Sequence, residues 1–285
     1  MWKLKKPALN ALEVYNTLVN SMDDGEKKTR LQGIARHIEI ESTKYEEHGD
    51  SKRLEQFEPH DQIQVGSVIV TKSEMKELYG TKMVDERRGD FYDALKLLPQ
   101  NSTCPYCCEG KIDELDHHLP KSIYPSFVVT PLNLVPVCIR CNKKKKNLFP
   151  RSEDRKPFNP YFENLEHDLW LKARVNESKE ALEFYIDPPS SWGTSMRTRI
   201  KDYFDLLELE TLYVSKSAVT ISGMAYKLSK WSNQYGVQEI KDRLHEDYES
   251  ERHKCLNHWK TATLCAISSN DWFCNGGFET FAPNT

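Results

Sequence analysis

Two Cys-x-x-Cys knuckles constrain this chain more than any other feature: Cys104-Pro105-Tyr106-Cys107 and Cys138-Ile139-Arg140-Cys141, with thirty residues between them. Each knuckle presents two thiolates from one short loop, and Zn²⁺ takes four such ligands in a tetrahedron. A set of four cysteines leaves no open position, so the Zn²⁺ it implies is structural. Such an ion contributes roughly 10–16 kcal/mol of apparent binding free energy to folding, enough to hold a segment with little apolar core. Cys108 is the alternative to Cys107 in the first knuckle. Disulfides would be the other use of paired cysteines, but a chain of 285 residues does not depend on them. Cys255, Cys265 and Cys274 stand apart and read as small buried residues.

The patterning on either side of the knuckles is mostly helical. Leu9, Leu12, Tyr15, Leu18 and Val19 recur at near-helical spacing, and a second charged stretch runs from Leu31 to Tyr45. Gln64 to Val70 is β-branched and extended; Thr71 and Glu74 then form a capping box, with Gly80 closing that helix. Another helix spans Asp90 to Leu98. Beyond the knuckles, Pro150 to Pro160 reads as a connector, and Leu169–Val175 pairs with Ala181–Ile186 as two strands. Arg197 to Trp231 is helical, and a long helix follows from Val237 to about Ile267. The fold class is therefore α+β: a mostly helical protein around a zinc-stapled centre. Three regions follow: a helical scaffold or partner-docking region over 1–100, the stapled core over 101–150, and a mainly helical region with a short hairpin over 151–285.

Net charge is −3, so any affinity for nucleic acid must come from a local basic surface rather than a global field. Arg140 to Lys156 supplies one, with Lys143, Lys144, Lys145 and Lys146 at its head. No run of eighteen apolar residues is present, which speaks against a membrane-spanning helix. The basic N-terminus has no apolar segment after it, and a cytoplasmic location is expected.

Between the knuckles lie Asp116-His117-His118-Leu119-Pro120, then Asn133-Leu134, then Cys138-x-x-Cys141-Asn142-x-x-Lys145. In this order the motifs resemble the HNH (ββα-metal) endonucleases over about forty residues. That resemblance implies a two-stranded hairpin and a helix around one divalent cation, Mg²⁺ or Mn²⁺, used to hydrolyse phosphodiesters. It assigns Asp116 and Asn142 as ligands of the catalytic Mg²⁺, His117 as general base and Asn133 as the residue that orients loop and base. Neighbouring residues on a strand point to opposite faces, so His117 and His118 do not both face the cation, and His118 is expected to be a surface or packing histidine. Lys121 and Lys143 to Lys146 would contact phosphates without reading bases.

The flanks, Lys121-Ser122-Ile123-Tyr124-Pro125, Pro157-Phe158-Asn159-Pro160 and Trp272 to Gly277, are similar to the HNH subunits of Septu-type and retron-associated anti-phage systems. Membership would imply an ABC/SMC-like ATPase partner and a role in antiviral defence. DNA is the expected substrate; cleavage of tRNA, and a non-catalytic zinc-stapled nucleic-acid-binding scaffold, are the competing readings.

Overall fold

The computed structural model describes residues 1–149 and 151–281; Pro150, at the head of the expected connector, lies outside them. The chain divides into two compact units, Met1–Asn164 and the chain from Leu165 onward. Both are mostly helical, and the described residues carry three separate two-stranded antiparallel sheets. Among the described residues, no helix is long and apolar enough to cross a membrane.

In the first unit, α1 (Ala11–Asn20) starts at Asn10, whose side chain accepts from Glu13 N, and buries Val14, Tyr15, Leu18 and Val19 on one face. The stretch from Leu31 to Tyr45 is split by Ile34 into α2 (Glu26–Gly33) and α3 (Ala35–Asp50). A hairpin of β1 (Gln62–Val65) and β2 (Val68–Thr71) turns at Gly66, whose φ of 59° is easy only without a Cβ. The capping box at Thr71 and Glu74 is present in full and opens α4 (Lys72–Glu77). Gly80 does not end this helix. From Leu78 the backbone widens into π-helical turns over Leu78–Glu86 and Arg88–Tyr92, leading to α5 (Asp93–Lys96). The wider coil buries Leu78, Tyr79 and Met83 together, which a helix stopped at Gly80 would not do.

The central hairpin pairs β3 (Glu114–His117) with β4 (Leu134–Val137), in register Glu114 to Val137 and His117 to Leu134. The helix α6 (Ile139–Lys145) follows at once. Leu115 and Leu134 join a single apolar cluster with Tyr15, Leu18, Ile38, Met75, Met83 and Leu95. The N-terminal helices and the stapled segment thus share one core.

In the second unit, β5 (Leu171–Asn176) pairs with β6 (Ala181–Ile186) as the alternation predicts. The helical stretch after Arg197 is two helices, α7 (Thr194–Leu206) and α8 (Leu209–Gln234), broken where Glu208 adopts a left-handed φ of 47°. The long helix expected from Val237 is likewise two, α9 (Val237–Lys254) and α10 (Trp259–Ser268). Asn257 causes that break. Its Oδ1 accepts from Trp170 N and Leu171 N, and its Nδ2 donates to the carbonyls of Leu165 and Asp168. Those bonds hold Asn257 out of a helix, and the His258 side chain caps the one that follows.

Candidate metal centre and hydrolytic site

Cys104, Cys107, Cys138 and Cys141 converge, with their sulfur atoms all within 4.8 Å of one another. The Sγ atoms of Cys107 and Cys138 are 3.8 Å apart. A tetrahedron with Zn–S bonds of about 2.3 Å has edges of about 3.8 Å, so the cluster fits a structural zinc ion. Local geometry builds it. Cys104 N donates to Gly110 O, closing the first knuckle, and Gly110 N donates to Cys107 Sγ at 3.3 Å. Gly110 is required, because a Cβ there would lie 2.8 Å from the Cβ and Sγ of Cys138. Cys138 caps α6, its sulfur accepting from Cys141 N at 3.5 Å. Hydrogen bonds from the neighbouring thiols, Cys104 foremost, hold Cys107 far below an ordinary thiol, while the same contacts push Cys141 up. Cys108 stays outside the cluster: its φ is 56° and its thiol points to the Pro105 carbonyl. Among the described residues, no other group of three or more His, Cys, Asp or Glu side chains has comparable metal-binding spacing.

Beside the cysteines, β3 and α6 face each other across a polar layer. Glu114 and Asp116 are two apart on β3; Asn142 and Lys145 are three apart on α6, so each pair lies on one face. Asn142 Nδ2 donates to Glu114 Oε2 at 2.5 Å. The Lys145 ammonium lies 2.9 Å from Asp116 Oδ2 and 3.2 Å from Oδ1, and also donates to the carbonyls of His117 and His118. The side chains of Lys145 and Asp116 are only 3% and 4% exposed. Tyr106 OH adds a long contact to Asp116 at 3.5 Å. The expected ligands Asp116 and Asn142 therefore line the same layer, but each has a protein partner there. The oxygen donors are of the kind that suits a hard divalent cation, and a cationic group already sits on Asp116.

Lys145 thus departs from the expected run of phosphate-contacting lysines, because its ammonium is consumed inside the protein. Lys121 is also partly withdrawn, with its ammonium 4.6 Å from the centre of the Tyr79 ring, and burial lowers its pKa. Lys143 and Lys146 are exposed, and Lys144 is half-buried.

His117 ends β3 and is buried, with its ring edge-on to Tyr79 at 4.6 Å. Its Nε2 lies 2.9 Å from the Val128 carbonyl. A carbonyl only accepts, so Nε2 carries the proton and Nδ1 the lone pair in the neutral ring. Burial foremost, then the charge of Lys121, pushes its pKa down to about 3. His118 packs edge-on against Phe149 at 5.4 Å, and its ring lines a cavity of about 10 Å³, the size of a single water, beside Glu55, Lys156 and Glu163. Asn133 is fully buried: Oδ1 accepts from Leu119 N and Tyr45 OH, and Nδ2 donates to the carbonyls of Leu119 and Phe127. It ties together the loop that carries both Val128 and the end of β3.

No family model matches the chain. It is 26% identical to Protein ea31 of Escherichia phage lambda over 222 residues, 72% of this chain and 75% of the relative. It is 48% identical to Septu protein PtuB of Bacillus thuringiensis over 63 residues, 20% of this chain and 24% of that protein. The chain thus spans about a quarter of the length of PtuB. No solved structure matches.

Glu114, Tyr106, Gly110 and the Val128 carbonyl are site groups that motif reading passed over. Glu114 was readable from strand alternation two residues before Asp116, and the pairing of Lys145 from helical spacing three residues after Asn142. The carbonyl carries no signal in residue type.

Proposed function

We propose that the chain is a metal-dependent HNH-type endonuclease acting in anti-phage defence, with DNA as its substrate. The observation that carries the reading is His117. It is a neutral imidazole at the end of a hairpin strand, its Nε2 proton committed to Val128 O, beside a zinc-clampable helix that carries Asn142. With Nε2–H committed to Val128 O, Nδ1 is left to accept a proton from water; burial weakens the ring as a base, and the bond to the Val128 carbonyl offsets part of that by stabilising the imidazolium. Asn133 maintains the loop that presents that carbonyl. Asp116 and Asn142 would hold the divalent cation, Mg²⁺ or Mn²⁺, with Lys145 giving up its place on Asp116. That cation, when bound, neutralises charge on the scissile phosphate and the departing oxygen. Lys143, Lys144 and Lys146 would follow the phosphate backbone.

The 48% identity with a Septu protein over 63 residues supports the defence role. An ATPase partner of the ABC/SMC-like class belongs to the same proposal. A second reading draws on the Asp116–Lys145 pair. A side-chain ammonium that already neutralises Asp116 suits a zinc-stapled binding module needing no catalytic cation.

One experiment separates these. Purified protein, alone and with its genomic neighbour's product, is incubated with plasmid DNA and with tRNA in Mg²⁺, Mn²⁺ or EDTA. Metal-dependent DNA cleavage lost in His117→Ala, with zinc content unchanged, is expected. Cleavage of tRNA alone corrects the substrate. Full activity in His117→Ala refutes the base, and binding without cleavage under every condition favours the module.

A further inference from the structure

A second pair of histidines meets at one buried hydroxyl close to His117. Ser126 is 1% exposed and sits in the short turn Pro125–Phe127. His37 Nε2, from α3, lies 3.1 Å from its Oγ; His60 Nε2, from the loop before β1, lies 3.0 Å from the same atom. His60 Nδ1 is 3.2 Å from the Glu58 carbonyl, and His60 N donates to Ile123 O. The hydrogen-bond directions follow. The Glu58 carbonyl requires the proton of neutral His60 on Nδ1, leaving Nε2 as acceptor. Ser126 then donates to His60, and His37 donates from Nε2 to Ser126. One hydroxyl is thereby engaged as both donor and acceptor by two separate segments of the fold.

The turn held in this way carries the groups that fix the candidate base. Phe127 O accepts from Asn133 Nδ2, and Val128 O accepts from His117 Nε2. Val128 N itself closes the turn onto Pro125 O. A shift at Ser126 therefore has only two residues of chain in which to dissipate before it reaches the carbonyl that decides the His117 tautomer.

We propose that Ser126, clamped between His37 and His60, is the positioning group for His117, acting through the Val128 carbonyl. The proposal rests on His117 as the base. The readout that decides it does not: the tautomer of His117 is a property of the resting protein. In long-range ¹H–¹⁵N spectra of the full chain, wild-type His117 gives the single Nε2–H tautomer. Ser126→Ala and His60→Phe remove the hydroxyl or its acceptor, and both tautomers should appear. His60→Gln keeps an acceptor and should retain the single form. Where Ser126→Ala does not fold, the two His60 variants decide the matter alone. On the reaction, Ser126→Ala and His60→Phe should lower kcat about 10- to 100-fold at unchanged KM, the usual scale for losing a group that orients a reacting side chain. An unaltered Nε2–H tautomer in both Ser126→Ala and His60→Phe overturns the clamp. A mixed tautomer in a protein that cleaves nothing upholds the clamp and refutes the nuclease reading instead.

Discussion

Replacing Lys145 with methionine tests whether the polar layer between β3 and α6 is as dry as its geometry implies. The ammonium touches both Asp116 oxygens at 2.9 and 3.2 Å, and the two side chains are 3–4% exposed. Methionine is unbranched and of similar length, so the packing change is small. What remains is an ionised carboxylate in the interior with one distant hydroxyl, Tyr106 at 3.5 Å. Orphaning a buried charge in this way costs about 3–5 kcal/mol. Against total stabilities of about 5–15 kcal/mol, that is about a fifth or more of what holds a domain folded. Adding Asp116→Asn removes the orphan charge, so the double variant should regain about 2–3 kcal/mol of the loss. Denaturant melts would mix the two units. Native-state hydrogen exchange at Asp113 N and His118 N, which bond to Val137 O and Asn133 O across the hairpin, reads the first unit alone. A loss under about 1 kcal/mol in the single variant, or simple additivity in the double, would refute the buried-pair argument.

The four-cysteine cluster and His117 give two further expectations. Gly110→Ala pushes a methyl into Cys138, so zinc content measured by emission spectroscopy should fall well below stoichiometric; full loading in that variant would sink the four-cysteine assignment. His117 is held neutral when folded, with its pKa down at about 3, while the unfolded chain takes up that proton near pH 6.5. Folding stability contributed by this group is therefore intact above about pH 6.5 and lost progressively as pH falls toward 3, by up to about 4–5 kcal/mol. His117→Gln keeps a donor for Val128 and should flatten that acid limb in native-state hydrogen exchange at Asp113 N between pH 4 and 7, whereas an unchanged slope would show that His117 is solvated.

Elements set by local chemistry were legible in the sequence, and those set by tertiary partners were not. The capping box at Thr71 and Glu74 and the hairpin of β5 and β6 needed only neighbouring residues. The convergence of the four cysteines was readable because their paired spacing is the one a tetrahedral metal ion would impose. Asn257 was not, since the four groups that hold it out of a helix come from the segment Leu165–Leu171, far away in sequence. The π-helical path beyond Gly80 likewise answers to burial of Tyr79 and Met83 and not to the glycine. Lys145 was misread for a related reason. Within a run of four lysines all look alike, and only the 3.6-residue turn brings one of them inward, under Asp116.

The position of Lys145 also bears on what the four-cysteine cluster does for α6. The helix α6 has seven residues, too few to be stable alone, since helix nucleation makes even twelve-residue segments marginal in water. It is anchored at its start by Cys138 and Cys141 and at its last turn by Lys145, which holds Asp116 and two carbonyls of the β3 strand and its exit. Asn142 lies between those anchors. Loosening the cysteine end would let the helix fray past Asn142 and break its contact with Glu114. The polar layer carried by α6 therefore depends on cysteines that do not line it.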